Sequence, residues 1–497
     1  MLRQDEISTV QININDKTFI LHKGESIFQM LLRQEMIFLS FCGGKGRCGR
    51  CRIKFHKGTT LPSASDRLFL TPDEIRSGIR LACTSKPKTD CVIDLIMEEK
   101  KDTKIISSYD LSDWEDSKYE ESEPKAVIAV DIGTTTLAMQ LILTLNSHIE
   151  AEYRKMNPQR AYGPDVISRI EADGRGEGSR MQKLIRDEVE HGIRILLEQY
   201  KLQFKETGAD NRIPVVIAGN TVMQHIFMGF STATLGIHPF TPVDVREQKL
   251  QIAGENIAFM PGISAFVGAD IVAGVYALKM CSQENKNKVS LLIDLGTNGE
   301  MALGNAKKLL VSATAAGPAF EGRSISPMDG TDLIDITAEL LKQGILDETG
   351  LMVEPYFEQG YQYKNNTVTQ EDIRALQMAK AAICAGIRIM MREYPITPEA
   401  IDTVYLAGGF GYYLDTNSAA IIGLIPEELA GKVKAVGNTS LMGAYLYGRN
   451  ADAREEVLTI TELAIPVNLA EQEGFEENYL ESLHFPQQDR KENHGFI

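Results

Sequence analysis

The chain has 497 residues, enough for about three domains, and its composition is that of a folded globular protein, with 43% hydrophobic and 24% charged residues. Its 52 lysines and arginines face 68 aspartates and glutamates, and the net charge of -16 argues against binding to nucleic acid or to an anionic membrane surface. No apolar run approaches the roughly 18 residues of a membrane span, and the N-terminus lacks the apolar core of a signal peptide. We therefore expect a cytoplasmic protein.

Residues 1–98 have the pattern of short strands and helices that is typical of a small β-grasp domain. The pattern predicts strands over 7–13, 18–22, 51–56 and 91–96 and capped helices over 26–33 and 71–78. This segment carries 15 lysines and arginines against 11 aspartates and glutamates, so it is basic while the remainder is acidic. It therefore presents a different surface to partners than the rest of the chain.

Residues 99–124 read as an exposed acidic linker, because they hold 9 acidic and 4 basic residues with little periodicity. The single tryptophan of the chain, Trp114, lies in this segment. Two interpretations stay open: the linker lets the first domain move, or Trp114 and Tyr119 dock on a domain surface.

Four cysteines of the first domain have a spacing that favours an iron–sulfur cluster. They follow the pattern C-x5-C-x2-C with a distant fourth member, and they are Cys42, Cys48, Cys51 and Cys83. Two irons need four sulfur ligands on one compact wall, and the glycines between the cysteines allow a loop to curl around them. Zinc is the main rival, and a thioredoxin-like Cys48/Cys51 pair is the second. Neither rival explains three crowded cysteines plus a distant one as well as the cluster does.

The other cysteines and the charges near the loop have plainer interpretations. Cys91, Cys281 and Cys384 lie in apolar strand or helix patterns and are expected in the core. Basic residues surround the cysteine loop: Lys45, Arg47, Arg50, Arg52, Lys54 and Lys57. They form either a solvated face or a docking surface for an acidic electron carrier.

Residues 125–497 alternate apolar strands with helical stretches, which is the pattern of an α/β domain. Two strands end in near copies of one motif, D-I-G-T-T-T from Asp131 and D-L-G-T-N-G-E from Asp294, so we predict an internal duplication. A strand ending in Asp-x-Gly-Thr lets backbone N–H groups approach phosphate oxygens, and its aspartate can hold Mg²⁺ through water. Two such loops could clamp one polyphosphate.

The candidate site of this domain is built from these loops and a third glycine-rich strand end. The predicted binding residues are Gly133, Thr134, Thr135, Gly296, Thr297, Asn298, Gly408, Gly409 and Phe410. The predicted catalytic acids are Asp131, Asp294, Glu300 and Asp270, of which the last two are candidates to orient the attacking water. His225 and His238 are expected to be hydrogen-bonded core residues rather than metal ligands.

These motifs resemble two known folds in one chain. The cysteine loop is similar to [2Fe-2S] ferredoxin domains of the adrenodoxin branch, which implies that the four cysteines are the cluster ligands. The order of the phosphate-1 loop, phosphate-2 loop and adenosine motif resembles the actin, sugar-kinase and chaperone (ASKHA) ATPases, which implies ATP as ligand. The expected fold is thus an α+β β-grasp [2Fe-2S] ferredoxin-like domain followed by a duplicated α/β actin-like ATPase domain.

The combination resembles one family, the ATP-dependent reductive activators of corrinoid proteins. Supporting segments are FCGGKGRCGRC, VDIGTTT, NPQRAYGPDVISRI (157–170), IDLGTNGE, AAGPAFEG (315–322) and LAGGFG. The resemblance implies one-electron reduction of a Co(II) corrinoid protein to Co(I) in a methyl-transfer system, an upstream low-potential donor of the ferredoxin or flavodoxin type, and a possible homodimer. Two alternatives stay open: an ATP-gated electron donor to another low-potential acceptor, and a nucleotide-linked redox sensor.

Overall fold

A computed structural model of the chain describes residues 10–15, 17–34, 36, 42–96, 108–109, 124–204, 213–296, 298–317, 330–364, 366–408 and 414–487. The chain divides into two compact units. The first comprises Met1–Lys104, Met156–Val189 and Ile226–His238, and the second comprises Ile105–Lys155, Glu190–His225 and Pro239–Ile497. The domain boundaries at residues 98 and 125 stay predictions.

The first unit contains a five-stranded mixed sheet in the order β2-β1-β5-β3-β4. Its strands are β1 Val10–Ile14, β2 Lys17–Leu21, β3 Arg52–Lys57, β4 Ile79–Leu81 and β5 Cys91–Leu95. Strand β1 pairs antiparallel with β2 and parallel with β5, while β3 pairs antiparallel with both β4 and β5. This sheet carries the buried apolar core of the domain.

Within the described residues, three short helices accompany this sheet, and the sequence contains the residues that cap them. They are α1 Ile27–Arg33, α2 Ala64–Phe69 and α3 Pro72–Arg76. Ser26 and Thr71 cap α1 and α3, each accepting a bond from a backbone N–H in the first turn, as the capped-helix prediction requires. The predicted pattern omits α2 and β4, because six and three residues are too short to show a period. Two further helices follow later in the chain: α4 Val166–Ala172 and α5 Gly178–Phe204.

The second unit contains two six-stranded mixed sheets. The first has the order β10-β11-β9-β6-β7-β8, with β6 Ala126–Ile132, β7 Thr136–Leu143, β8 His148–Met156, β9 Val215–Gly219, β10 Gln248–Ile252 and β11 Glu255–Phe259. The second has the order β18-β17-β12-β13-β14-β19, with β12 Val289–Leu295, β13 Gly299–Asn305, β14 Lys308–Thr314, β17 Ile401–Ala407, β18 Val433–Gly437 and β19 Ala464–Pro466. A separate hairpin is formed by β15 Tyr361–Tyr363 and β16 Asn366–Val368.

The two large sheets repeat one arrangement, which confirms the predicted duplication. In the first, β6 lies between the antiparallel β7 and the parallel β9. In the second, β12 lies between the antiparallel β13 and the parallel β17 in the same way. Strands β6 and β12 are the two that carry the Asp-x-Gly-Thr motif, so each sheet brings one motif to the carboxyl ends of its parallel strands.

Helices complete the second unit and link its strands. In chain order they are α6 Thr221–Met228, α7 Ala269–Ala277, α8 Gly330–Gln343, α9 Tyr356–Gln359, α10 Gln370–Glu393, α11 Thr416–Ile421, α12 Thr439–Arg449, α13 Ala453–Leu463 and α14 Phe475–Ser482. Helices α7 and α12 pack so closely that a Cβ at Gly443 would lie 2.2 Å from the carbonyl oxygen of Ala273. Both helices begin next to the motif-bearing strand ends.

Candidate functional site

The first candidate site is the cysteine loop, which joins α1 to β3. Its glycines, Gly43, Gly44, Gly46 and Gly49, all have positive φ, between 57° and 80°. A Cβ at Gly44 would lie 2.7 Å from Phe28, and one at Gly49 would lie 2.6 Å from Phe69. Only glycine satisfies both the backbone conformation and this close packing, so the loop is built around its glycines.

Three of the four predicted ligands lie on this loop, and the fourth, Cys83, lies two residues after β4 and interacts with the other three. Cys51 is buried, and the other three are half-buried. The backbone N–H of Arg47 donates to Cys42 Sγ at 3.4 Å. A hydrogen bond with Cys51, burial and the charges of the neighbouring thiolates raise the pKa of Cys83. Burial and these thiolates thus oppose the ionisation of Cys83, whereas the hydrogen bond from Cys83 lowers the pKa of Cys51. A cationic iron centre would compensate the negative charges of the thiolates.

No three His, Cys, Asp or Glu side chains converge on one ion position within the described ranges. The ligand assignment of the four cysteines stays a prediction. The remaining cysteines lie elsewhere: Cys91 and Cys384 are buried, as expected, and Cys281 is half-buried in a turn after α7 rather than in a helix.

The basic residues around the loop divide into two groups. Arg52 is structural, since it donates to the carboxylate of Glu74 at 2.6 Å and to the Gly49 carbonyl. Lys45 forms an exposed ion pair with Glu171 at 2.8 Å. Arg47, Lys54 and Lys57 are exposed. The predicted basic surface is therefore smaller than the sequence suggests.

The 157–170 motif lies against the cysteine loop. A Cβ at Gly43 would lie 2.7 Å from the carbonyl oxygen of Tyr162. Behind that contact, the fully buried Arg169 donates to the Gly163 carbonyl at 3.3 Å and to Gln159 Oε1 at 3.2 Å. This motif thus builds a buried polar support for the loop.

The second candidate site is formed at the ends of β6 and β12. Asp131 and Asp294 are the next-to-last residues of β6 and β12, Asp270 lies in the first turn of α7, and Glu300 lies on β13. The three aspartates are half-buried, so a ligand can reach them, whereas Glu300 is buried. Charge interactions link Asp270 to Asp131, Asp294 to both, and Glu300 to Asp270 and Asp294, although in the described part of the chain no three of these acids converge on one ion position.

Electrostatics show how closely these acids interact. Burial raises the pKa of Asp131 to about 6, against the hydrogen bonds that it accepts. Burial and the charge of Asp131 raise the pKa of Asp270 to about 7. Burial and the charges of Asp270 and Asp131 raise the pKa of Asp294 to about 8, and the pKa of Glu300 is raised well above its ordinary value. Such a group favours a bound cation, because a cation would stabilise every one of its ionised forms.

Two asparagines, which the predicted site omits, support the first loop. Asn220 Nδ2 donates to Thr134 Oγ1 at 3.0 Å, and Asn438 Nδ2 donates to Asp131 Oδ2 at 2.8 Å. Each also accepts a bond in the first turn of the next helix, from the N–H of Met223 or of Leu441. The signal was present in the sequence, because both lie in a repeated Gly-Asn-Thr at 219–221 and 437–439.

The other predicted residues fall in three groups. Gly408 lies against the second loop, since a Cβ there would be 2.5 Å from Asp294 Oδ1, and Asn298 donates to Glu300 at 3.1 Å. Gly133, Thr135 and Gly296 lie in the two turns after β6 and β12. Thr297, Gly409 and Phe410 lie outside the described residues, as do residues 318–322 of AAGPAFEG.

Of the two histidines, His225 is a buried and hydrogen-bonded core residue, as predicted, whereas the prediction for His238 is wrong. His225 is buried between the Thr221 carbonyl, 2.8 Å from Nδ1, and the Val243 N–H, 2.9 Å from Nε2. Because Nε2 accepts, Nδ1 must carry the proton, and the ring is neutral. Burial lowers its pKa further. His238 is exposed.

Comparison with known proteins agrees with both sites. Residues 10–88 match a 2Fe-2S iron–sulfur cluster binding domain, residues 126–283 match the RACo middle region, and residues 288–328 and 326–494 match the C-terminal ASKHA domain of RACo. The fold and its two sites define a class of protein in which a ferredoxin-type iron–sulfur domain is fused to an ASKHA ATPase domain.

Similar proteins narrow this class. The chain is 28% identical to the corrinoid activation enzyme RamQ of Eubacterium limosum, covering 76% of this chain and 73% of that protein. It is 25% identical to a [Co(II) methylated amine-specific corrinoid protein] reductase of Methanosarcina barkeri, covering 43% of this chain and 47% of that protein. A solved structure, a reductive activator for a corrinoid, iron–sulfur protein, shares the fold with a TM-score of 0.65 and 23% identity, covering 96% of this chain and 98% of that one.

The chain belongs to the RACo family of ATP-dependent reductive activators of corrinoid proteins. Among the described residues, no helix is both long enough and apolar enough to cross a bilayer.

Proposed function

We propose that this protein returns a corrinoid protein from Co(II) to Co(I) by passing one electron through the cysteine-loop cluster, with ATP hydrolysis supplying the drive. One observation carries the proposal: a four-cysteine loop and a four-carboxylate site between duplicated loops occur in the same chain. An ordinary ferredoxin needs no ATP, and a sugar kinase needs no electron.

Energetics explain why the two sites belong together. Ferredoxin-type clusters have potentials of about -400 mV, and each further 100 mV uphill costs about 2.3 kcal/mol for one electron. An acceptor whose reduction potential is lower than that of the cluster is therefore reduced only if a second favourable process is coupled to the electron transfer. Preferential binding of the Co(II) partner, followed by ATP-driven release after reduction, meets this requirement, since differential affinity is what shifts an equilibrium.

At the first site, we propose that Cys42, Cys48, Cys51 and Cys83 hold a [2Fe-2S] cluster, which accepts and releases one electron at a time. The Arg47 N–H, which already donates to Cys42 Sγ, would stabilise the reduced and more negative state. The exposed Arg47, Lys54 and Lys57 give an acidic ferredoxin or flavodoxin a surface to meet, which accelerates association more than it tightens binding.

At the second site, we propose that Mg-ATP lies between the loops of Asp131 and Asp294. Mg²⁺ keeps much of its hydration shell and binds through one or two carboxylates plus phosphates, which suits half-buried aspartates. Asp270 is the better candidate to accept the proton of the attacking water, because its pKa of about 7 matches the working pH. Glu300 is buried, has a pKa far above its ordinary value, and accepts from Asn298, which suits a supporting role.

The proposal is tested by following Co(I) formation anaerobically with a Co(II) corrinoid protein and a low-potential reductant. We expect Co(I) to accumulate with Mg-ATP and to stay low with Mg-ADP. Iron and sulfide quantitation with visible and electron paramagnetic resonance spectra should give two irons and two sulfides per chain.

Cys48→Ser and Cys91→Ser form a matched pair for this test. The first removes a proposed ligand and should abolish the two-iron spectrum, while the second changes a buried strand cysteine and should keep it. Equal Co(I) yields with and without Mg-ATP would rule the proposed coupling out, and a zinc-only protein would rule out the electron route. Sedimentation of the holoprotein tests the homodimer that we also propose.

A further inference from the structure

Two residues of the 99–124 segment, Ser108 and Tyr109, add to the edge of the second six-stranded sheet. Tyr109 forms an antiparallel bridge with Gly437, the last residue of the edge strand β18. The Ser108 carbonyl accepts a hydrogen bond from the Asn438 N–H at 3.0 Å. Gly437 has φ 74°, and a Cβ there would lie 2.1 Å from the Ser108 carbonyl oxygen. The backbone of Ser108–Tyr109, here called the strap, thus occupies the space that a side chain at position 437 would fill.

The Tyr109 ring anchors the strap. Its hydroxyl is buried and has no hydrogen-bond partner within the described part of the chain. Burial raises the pKa of Tyr109, and the nearby Tyr445 of α12 and Glu152 of β8 raise it further. A buried hydroxyl without a partner opposes burial. Beside the backbone hydrogen bond from Asn438, any side-chain contribution to holding the strap therefore comes from the apolar ring and not from the hydroxyl.

Asn438 connects the strap to the nucleotide site. Its backbone N–H donates to Ser108, its side-chain oxygen accepts from the Leu441 N–H at 2.8 Å, and its side-chain nitrogen donates to Asp131 Oδ2 at 2.8 Å. One residue thus joins the strap, the first turn of α12 and Asp131 of β6. A displacement of the strap would reach Asp131 through a single side chain.

We propose that the strap positions Asn438, and through it Asp131, for nucleotide binding, so that Ser108 and Tyr109 contribute to the ATP site. This inference rests on the proposed binding of ATP at that site. Asn438 is a positioning residue, since it acts through Asp131. Because coupling between sites is reciprocal, a strap that promotes nucleotide binding must itself be stabilised by bound nucleotide.

Tyr109→Ala and Tyr109→Phe, made in the anaerobic holoprotein, form the test. Tyr109→Ala removes the ring that holds the strap, so the hydrogen bond from Asn438 to Asp131 should weaken. The Kd for Mg-ATP should then rise about fivefold to tenfold, the effect of losing about one hydrogen bond. Tyr109→Phe keeps the ring and loses only the unpartnered hydroxyl, so its Kd should match that of the unchanged protein. Trp114, the single tryptophan, lies five residues beyond Tyr109 and reports on the segment by fluorescence. Its nucleotide-dependent change should persist in Tyr109→Phe and disappear in Tyr109→Ala.

A second measurement needs no variant. Trypsin cleavage after Lys104, four residues before Ser108, should slow when Mg-ATP is added to the unchanged protein. Cleavage at an equal rate, or equal Mg-ATP affinity and fluorescence response in the two variants, would overturn the strap while leaving the proposed function intact. If the unchanged protein binds no nucleotide, the proposed ATP site fails and the strap fails with it.

Discussion

The pKa values of three aspartates describe the electrostatics of the nucleotide site. Burial raises the pKa of Asp131, and burial together with the neighbouring acids raises the pKa values of Asp270 and Asp294. Stability alone does not account for these acids, since a buried charge without compensation costs free energy. Three half-buried acids that interact with one another point instead to a cation delivered by the ligand.

This arrangement makes the nucleotide-free protein sensitive to pH. The pKa of Asp294 is about 8 in the folded protein against an ordinary 3.8, so its stabilising contribution is full below about pH 4 and is lost as pH rises to about 8. We expect the free energy of unfolding to fall over this window, and Asp294→Asn to lower the slope by up to one proton, about 1.4 kcal/mol per pH unit. Denaturant unfolding at pH 5, 6.5 and 8 measures the slope.

Asp402, exposed on β17, supplies the control, and Asp402→Asn should leave the slope as it is. Added Mg²⁺ should flatten the slope of the unchanged protein, because it stabilises the ionised acids. An Asp294→Asn protein with an unaltered slope would contradict the electrostatic account.

Asn220 performs two tasks that substitution can separate. Its Oδ1 caps α6 and its Nδ2 donates to Thr134. Asn220→Asp keeps an N-terminal cap but loses the donor and adds a negative charge, so its stability should stay within about 0.5 kcal/mol while Mg-ATP binds at least about tenfold more weakly. Asn220→Ala should lose about 1 kcal/mol of stability as well. Denaturant unfolding and Mg-ATP titration of both variants measure the two effects. An Asn220→Asp protein that binds ATP normally would refute the role of the Asn220 Nδ2 donor.

At the scale of elements, the strand–turn unit and its duplication were predictable because they repeat in the sequence. The apolar runs ending at Asp131 and Asp294 predict β6 and β12, and the two sheets confirm the shared topology. The asparagine contacts were not predictable, even though Gly-Asn-Thr is repeated, because a cap and a donor to a distant loop use the same residue type. Which loop lies opposite each asparagine is decided by strand order, and strand order depends on long-range pairing.

The cysteine loop allows a test of packing at the same scale. Gly43 and Gly24 both have positive φ, 57° and 82°, but a Cβ at Gly43 would lie 2.7 Å from the Tyr162 carbonyl oxygen, whereas nothing lies within 4 Å at Gly24. Gly24→Ala should therefore cost only the backbone strain, roughly 1–2 kcal/mol. Gly43→Ala should add a steric clash and lower the iron content of the purified protein at least about twofold.

Iron quantitation and thermal unfolding of the two glycine variants measure these effects. Equal iron content and equal stability in both would show that the 157–170 motif does not support the loop. Because the variants share the same backbone strain, their difference reports the contact with Tyr162 alone.

At the scale of the whole molecule, the presence of both sites in one chain indicates the function more specifically than either fold does. The net charge, the cysteine spacing and the two loops were readable in sequence, since each is a local pattern. The role of Ser108–Tyr109 was hidden, because two residues in an acidic segment carry no periodicity and their contact with Gly437 spans more than 300 positions.

The two chemistries should therefore be separable by substitution yet required together. Cys48→Ser should lose Co(I) formation while keeping Mg-ATP binding and the Trp114 response, because the nucleotide site lies in the second unit. Asp294→Asn should keep the cluster spectrum and its reduction by a chemical donor but lower ATP-dependent Co(I) formation at least about tenfold. Mixing the two variants tests whether one chain must carry both sites. If the mixture restores full Co(I) formation at micromolar concentration, the two sites act between chains, and the coupling within one chain argued above is wrong.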